Sequence, residues 1–233
     1  MGVNHIAIIL DGNRRYAEKI GVNRLKGHEK GADTLRKLIK WGAALSKEEK
    51  EKYWPKIMTL YAFSMQNFDR PDIEKKLLFN LLKKGFEELL TIKQIDNMGI
   101  QVNFLGRTHL FPKDLQDVIN KVKEKTKNNN NYKLNFCVAY GGKEEIIDAV
   151  NKIINTGKEE ITEDDFANYL YSKDDVDIVI RTSGEKRTSN YLPWQTSYAE
   201  WFFPKETWPE FSADLLMSII DEFKEKRERR FGK

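Results

Sequence analysis

The chain has little of what several protein classes require. Its 233 residues include one cysteine, Cys137, so no internal disulfide can form and no oxidising compartment is implied. Three scattered histidines and that cysteine cannot build a structural zinc site. No apolar run approaches the ~18–20 residues of a membrane span. The opening MGVNHIAIIL lacks the basic start and the ~7–15-residue apolar stretch of a signal peptide. The expectation is a cytoplasmic protein, at most peripheral to a membrane. A G-x-x-x-x-G-K-S/T run is absent, as are a G-x-G-x-x-G after the first apolar run and a G-x-S-x-G, which argues against a P-loop nucleotidase, a dinucleotide fold and a hydrolase nucleophile elbow. No repeat and no Pro/Gly/Ser-rich linker divides the chain, so residues 1–233 read as a single domain. With 40 basic against 36 acidic residues, the net charge of +4 is too mild to demand nucleic acid but leaves room for a local anion site.

What is present is an alternation of short apolar runs with longer helical patterns. Strands are predicted at 6–10 (IAIIL), 57–63 (IMTLYAF), 100–105 (IQVNFL), 134–140 (LNFCVAY), 176–180 (VDIVI) and 198–203 (YAEWFF). Helices are predicted at 29–45, near 72–97, 113–127 and 143–155, and at 212–229, while the polar stretch 46–56 reads as an exposed connection. This order predicts an α/β fold with a largely parallel central sheet of about six strands flanked by helices, neither Rossmann nor all-α.

In open α/β sheets ligands gather beyond the carboxyl ends of the strands. Those positions hold Asp11-Gly12-Asn13-Arg14-Arg15-Tyr16, then Arg24, Lys26 and His28; Ser64-Met65-Gln66-Asn67-Phe68-Asp69-Arg70; Gly141-Gly142-Lys143; and residues 181–190 (RTSGEKRTSN). Arginine forks beside small hydrogen-bonding residues suit phosphate oxygens. Asp11 among these cations reads either as a salt-bridge partner or as a carboxylate that shares Mg2+ with a diphosphate. The helix near 72–97 carries a broad stripe of Ile73, Leu77, Leu78, Leu81, Leu82, Phe86, Leu89 and Leu90, which suits ordinary core and also the wall of a hydrophobic tunnel.

Together these strings resemble the cis-prenyltransferases, the family of undecaprenyl and dehydrodolichyl diphosphate synthases. The matching blocks are 5–17 (HIAIILDGNRRYA), 60–64 (LYAFS) with Asn67 and Arg70-Pro71, and 135–142 (NFCVAYGG). They continue through 177–182 (DIVIRT), Gly184-Glu185, Arg187, Ser189-Asn190, Leu192, Trp194-Gln195, Ala199-Glu200, Trp208-Pro209 and 227–232 (RERRFG). The resemblance implies Mg-dependent, sequential condensation of isopentenyl diphosphate onto an allylic diphosphate primer. The product would be a polyprenyl diphosphate of medium length, formed by a homodimer that touches a membrane surface to release it. A non-catalytic partner subunit of a heteromeric enzyme is the alternative. A nucleic-acid binder, suggested by the basic C-terminal end, lacks interleaved aromatics along a basic stripe.

Carried over by residue, the resemblance makes Asp11 the catalytic aspartate that handles Mg2+ and the leaving diphosphate, with Glu200 as the second metal carboxylate. Gly12, Asn13, Arg14, Arg15 and Tyr16 surround the allylic diphosphate, with Arg24 and His28 as further phosphate contacts. Ser64, Met65, Gln66, Asn67, Phe68 and Arg70 form a second substrate loop, in which Asn67 stands at the family's proposed proton acceptor. Arg181, Arg187, Thr188 and Ser189 match the isopentenyl diphosphate site. Arg230 and Gly232 match an R-x-G element that reaches across the dimer. Arg14 and Tyr16 replace the Gly and Trp of the bacterial form, Met65 and Gln66 replace a commoner Ser-Glu pair, and Lys186 stands where some bacterial members have histidine.

Overall fold

The computed structural model describes residues 2–230, with side chains to residue 226. The expected parallel sheet is present. Strands β1 (His5–Ile9), β2 (Ile57–Ser64), β3 (Ile100–Leu105), β4 (Tyr132–Tyr140), β5 (Ile178–Arg181) and β6 (Glu200–Phe202) lie in the order β3-β4-β2-β1-β5-β6. Every neighbouring pair is parallel.

The central strands β1 and β5 and most of β4 are buried on both faces, whereas the edge strands β3 and β6 are only partly buried. On β1, Ile6 and Ile8 enter one layer with Leu38, Leu60, Phe136 and Leu216, while Ala7 and Ile9 enter the opposite layer with Cys137, Val179 and Tyr191. The first layer is built by α2 (Arg24–Ala44), α4 (Asp72–Leu89), α6 (Lys113–Thr126) and α9 (Ala213–Arg230). Across the sheet, α7 (Gly142–Ile154) sets Ala149 and Ile153 against Phe166 and Leu170 near α8 (Glu163–Ala167). One polar row crosses the sheet. His5 Nε2 lies 2.7 Å from Thr59 Oγ1, Asn135 donates to the same hydroxyl at 3.1 Å, and Asn103 donates to Asn135 at 3.0 Å. His5 Nδ1 faces the carbonyls of Asp174 and Asp175, so it carries the ring proton.

Several expectations are corrected. The stretch 46–56 is not a plain connection: it folds as α3 (Lys47–Tyr53), opened by a Ser46–Glu49 capping box, and delivers Trp54 into the core. The ring of Trp54 lies where a side chain at Gly42 would otherwise stand. The single helix expected near 72–97 is two, α4 and then α5 (Lys93–Met98). The Thr91 hydroxyl bonds back to Glu88 O at 2.9 Å as the helix ends. Ile73 and Leu77, placed in the apolar stripe, are exposed at 78% and 46%, so only the later part of α4 reaches the interior. The helix expected to begin at 29 starts at Arg24, because Asn23 accepts from the amides of Leu25 and Lys26. The residues after β1 form a short helix, α1 (Asn13–Lys19), that no sequence pattern had marked.

Leu60 sits fully buried at the centre of β2. Leu60→Ala should lower stability by about 2–5 kcal/mol, seen as a lower urea midpoint with an unchanged slope.

Candidate active site

The chain leaves β1 for strands on one side of it and later enters β5 on the other. The strand order therefore reverses between β1 and β5, the place where open α/β sheets bind ligands. Ile9 and Arg181 are register partners there, and Asp11 follows two residues beyond Ile9.

Arg181 is buried, its side chain 4% exposed. Its Nη2 donates to Asp11 Oδ2 at 2.9 Å, and its Nη1 donates to Ser189 Oγ and Arg187 O, both at 2.6 Å. Its Nε is buried with no partner among the described residues, and so is Asn13 Oδ1. Asp11 Oδ1 accepts from Gly12 N at 2.8 Å, with Arg15 Nη2 3.6 Å away. The carbonyl of Asp11 accepts from Trp208 N at 2.9 Å and Thr182 Oγ1 at 2.7 Å. Gly12 has φ +97°, and a Cβ there would lie 2.7 Å from Thr207 Cβ, so the turn into α1 admits only glycine.

A cavity of about 760 Å³ opens from this edge. Six arginines line it near the strand ends: Arg14, Arg15, Arg24, Arg70, Arg181 and Arg187. Gly12, Asn13, His28, Ser64, Gln66, Asn67 and Ser189 share that wall. Toward α2 and α4 the lining turns apolar, with Leu35, Ile39, Leu78, Leu81, Leu82 and Phe86, next to an ion pair between Arg36 and Glu88. Burial, with the nearby Arg14 charge adding to it, holds His28 down to about 4, so it is neutral at pH 7. Burial, and then Arg24, likewise lowers Arg14.

Asn67 lies on the 3-10 turn Met65–Asp69, and its Oδ1 accepts from Ser64 N at 3.0 Å. The amide oxygen is thus engaged in capping the turn. Arg14 and Arg70 both pair with Glu74 on α4.

Other expected site residues stand elsewhere. Tyr16, Met65, Phe68 and Thr188 are not on the cavity wall. Met65 packs on the core, Phe68 packs edge-on and tilted into a cluster with Phe63, Phe79 and Phe111, and Thr188 is exposed. Glu200 pairs in register with Ile178, three residues before Arg181, which puts it toward the amino end of the strands and away from Asp11. Arg230 and Gly232 fall outside the residues whose side chains are described.

The structure adds residues that the sequence reading passed over: Tyr61, Glu74, Thr182 and Trp208. Thr182 and Trp208 lay inside strings already singled out, but their hydrogen bonds to the Asp11 carbonyl left no pattern to read. Tyr61, within the block 60–64, had no role assigned, yet its hydroxyl donates to Tyr140 O at 3.3 Å and Ser189 O at 3.4 Å.

Among the described residues no group of three His, Cys, Asp or Glu side chains is placed to hold a metal ion. The donor set at Asp11 fits a cation that arrives with a diphosphate, because each carboxylate oxygen retains a lone pair and Mg2+ commonly takes one or two carboxylates plus phosphate oxygens.

The profile of the family described as "Putative undecaprenyl diphosphate synthase" matches residues 9–232. A relative from Pyrococcus horikoshii, named tritrans,polycis-undecaprenyl-diphosphate synthase (geranylgeranyl-diphosphate specific), is 42% identical over 98% of this chain and 86% of its own length. A Fusobacterium nucleatum protein named isoprenyl transferase is 42% identical over 98% of this chain and 95% of its own. Among solved structures, lavandulyl diphosphate synthase from Lavandula x intermedia, in complex with dimethylallyl diphosphate, superposes with a TM-score of 0.81 at 29% identity, covering 95% of both chains.

The state of His28 is open to direct measurement. Its native pKa lies below the unfolded value of about 6.5, so between pH 6.5 and 4 the unfolded chain binds a proton that the native chain refuses. Its contribution to stability should be complete above pH 6.5 and fade as the pH falls toward 4. The His28 ring resonances should titrate near 4; a midpoint at 6.5 would contradict the burial assigned to it.

Proposed function

We propose that this chain, which belongs to the undecaprenyl diphosphate synthase family of cis-prenyltransferases, extends an allylic diphosphate by repeated condensation with isopentenyl diphosphate to a polyprenyl diphosphate of medium length. The observation that supports this most is the buried Arg181 joined to Asp11, its Nε unpartnered, at a cavity that is arginine-lined at one end and apolar at the other. A diphosphate with a hydrocarbon tail has that division of character.

The chemistry asked of these residues is charge handling. The bond from the allylic carbon to oxygen breaks, and diphosphate leaves with the electron pair. The terminal alkene carbon of isopentenyl diphosphate bonds to that allylic carbon, and a proton is lost as the new double bond forms. Arg14, Arg15, Arg24 and Arg70 surround the position for the leaving diphosphate, while Arg181, Arg187 and Ser189 hold the second one. Fixed guanidinium groups aimed at developing negative charge lower the barrier without reorganising as it develops. Holding both substrates in register supplies the entropic part. Mg2+, held by Asp11 together with phosphate oxygens, would neutralise leaving-group charge.

Asn67 is assigned a positioning role. It is neutral at pH 7, and its oxygen already accepts the Ser64 amide. Its NH2 group remains to orient a phosphate, and a phosphate oxygen or Asp11 takes the proton.

A homodimer is part of the proposal. Ile147, Val150 and Ile154 form an exposed apolar stripe at helical spacing on α7, with Ile154 66% exposed, which is the kind of surface a second copy covers. Among the described residues no helix is long and apolar enough to cross a membrane. Contact with a membrane surface during product release is proposed from the lipid nature of the product.

The test is incubation of the purified protein alone with labelled isopentenyl diphosphate, an allylic diphosphate and Mg2+. Butanol-extractable label is expected, sized by thin-layer chromatography; none would favour a non-catalytic partner subunit. Asp11→Ala should lose at least about 100-fold in kcat, the scale of removing a group that stabilises transition-state charge, and chelation should abolish turnover. Asn67→Ala should destabilise by about 1 kcal/mol through the lost cap and lower kcat. Asn67→Asp keeps the cap; full activity in both variants would remove Asn67 from the mechanism.

A further inference from the structure

The segment from Arg187 to Leu192 carries two of the proposed diphosphate contacts but belongs to no helix or strand. Its backbone takes left-handed values at Ser189 (φ +50°), Asn190 (φ +59°) and Leu192 (φ +47°). Such values are costly for most residues and persist only where the surroundings impose them; asparagine is among the few that tolerate them.

Asn190 is the point of imposition. Its carbonyl accepts from Gly142 N at 2.8 Å, and its Oδ1 accepts from Lys143 N at 2.8 Å. Its Nδ2 donates to Glu144 Oε2 at 3.1 Å. One residue thus binds three consecutive residues at the start of α7. The fit leaves no slack: a Cβ at Gly142 would stand 2.0 Å from Pro193 Cδ, and one at Gly141 would stand 2.9 Å from Asn190 Nδ2. Asn190 itself is not on the cavity wall, whereas Arg187 and Ser189 are. From the sheet side, Arg181 holds the same segment through Ser189 Oγ and the Arg187 carbonyl.

We propose that Asn190 is a positioning residue for the second substrate. It clamps the 187–189 segment to the start of α7, so that Ser189 and Arg187 are in place before isopentenyl diphosphate arrives. This rests on the reading given above, and it separates the two diphosphate sites. The allylic side is built on α1, α2 and the 3-10 turn, whereas the hydrogen bonds of Asn190 run to the start of α7, so the clamp acts on one substrate only.

Asn190→Gly tests it, since glycine keeps the left-handed backbone while the clamp is lost. Loss of two hydrogen bonds should raise KM for isopentenyl diphosphate roughly tenfold, with KM for the allylic primer held within about twofold. Amide exchange at 187–189 should quicken. Asn190→Asp keeps the acceptor for Lys143 N but sets a carboxylate against Glu144, so it should also raise that KM. Adding Glu144→Gln supplies a donor in return and should bring it back toward wild type. Equal rises in both KM values, an unchanged KM for isopentenyl diphosphate, or no rescue by the double variant would overturn the assignment. A wild type that incorporates no label would instead overturn the proposed function; the exchange measurement still decides the clamp, and unchanged exchange refutes it.

Discussion

A single ion pair organises the molecule: Asp11 and Arg181, brought from positions 170 residues apart to the two strand ends that flank the reversal of strand order. A guanidinium this deeply buried is stable only when its donors are satisfied. Three of its hydrogen bonds go to Asp11, Ser189 and the Arg187 carbonyl, which ties the turn after β1 to the segment after β5. The remaining Nε is buried without a hydrogen-bond partner among the described residues. Removing Asp11 would therefore leave a buried charge facing its neighbours with less compensation.

Around this pair the cavity divides its labour by element. α1 and the beginning of α2 supply cations, and the 3-10 turn after β2 supplies Asn67 and Arg70. Glu74 on α4 reaches back to Arg14 and Arg70, linking the helix whose later turns form the apolar wall to the charged mouth. The charged and the apolar ends of the cavity are thus joined through one helix.

Much of this was legible in the amino-acid order. Strands buried on both faces leave continuous apolar runs, so β1, β2, β3 and β4 were located closely, and residues just beyond such runs were the natural place to look for a site. What failed has physical causes. Helix α3 was missed because its composition is polar, although Ser46 and Glu49 carried the capping signal. Phe68 and Met65 sit beside true cavity residues, but turn geometry directs them into the core, and local order does not encode that direction. Glu200 was assigned by likeness to a motif, whereas its place follows from strand register, which depends on how far β6 slides along β5. At the break between α4 and α5, the amides of Leu90 and Thr91 and the Thr91 hydroxyl cap the last carbonyls of α4.

The union of β1 with β5, and of the Asp11 carbonyl with Trp208, also bears on biogenesis. A polypeptide leaves the ribosome amino end first, and neighbouring elements begin to associate as they emerge. His5–Ile9 emerges early and finds β2 soon, but its other edge has no mate until the segment bearing β5 appears. For most of its synthesis the nascent chain therefore displays an open, apolar strand edge, a template for unwanted pairing. A chain cut anywhere before β5 leaves that edge without its native mate and lacks the Arg181 guanidinium that Asp11 pairs with.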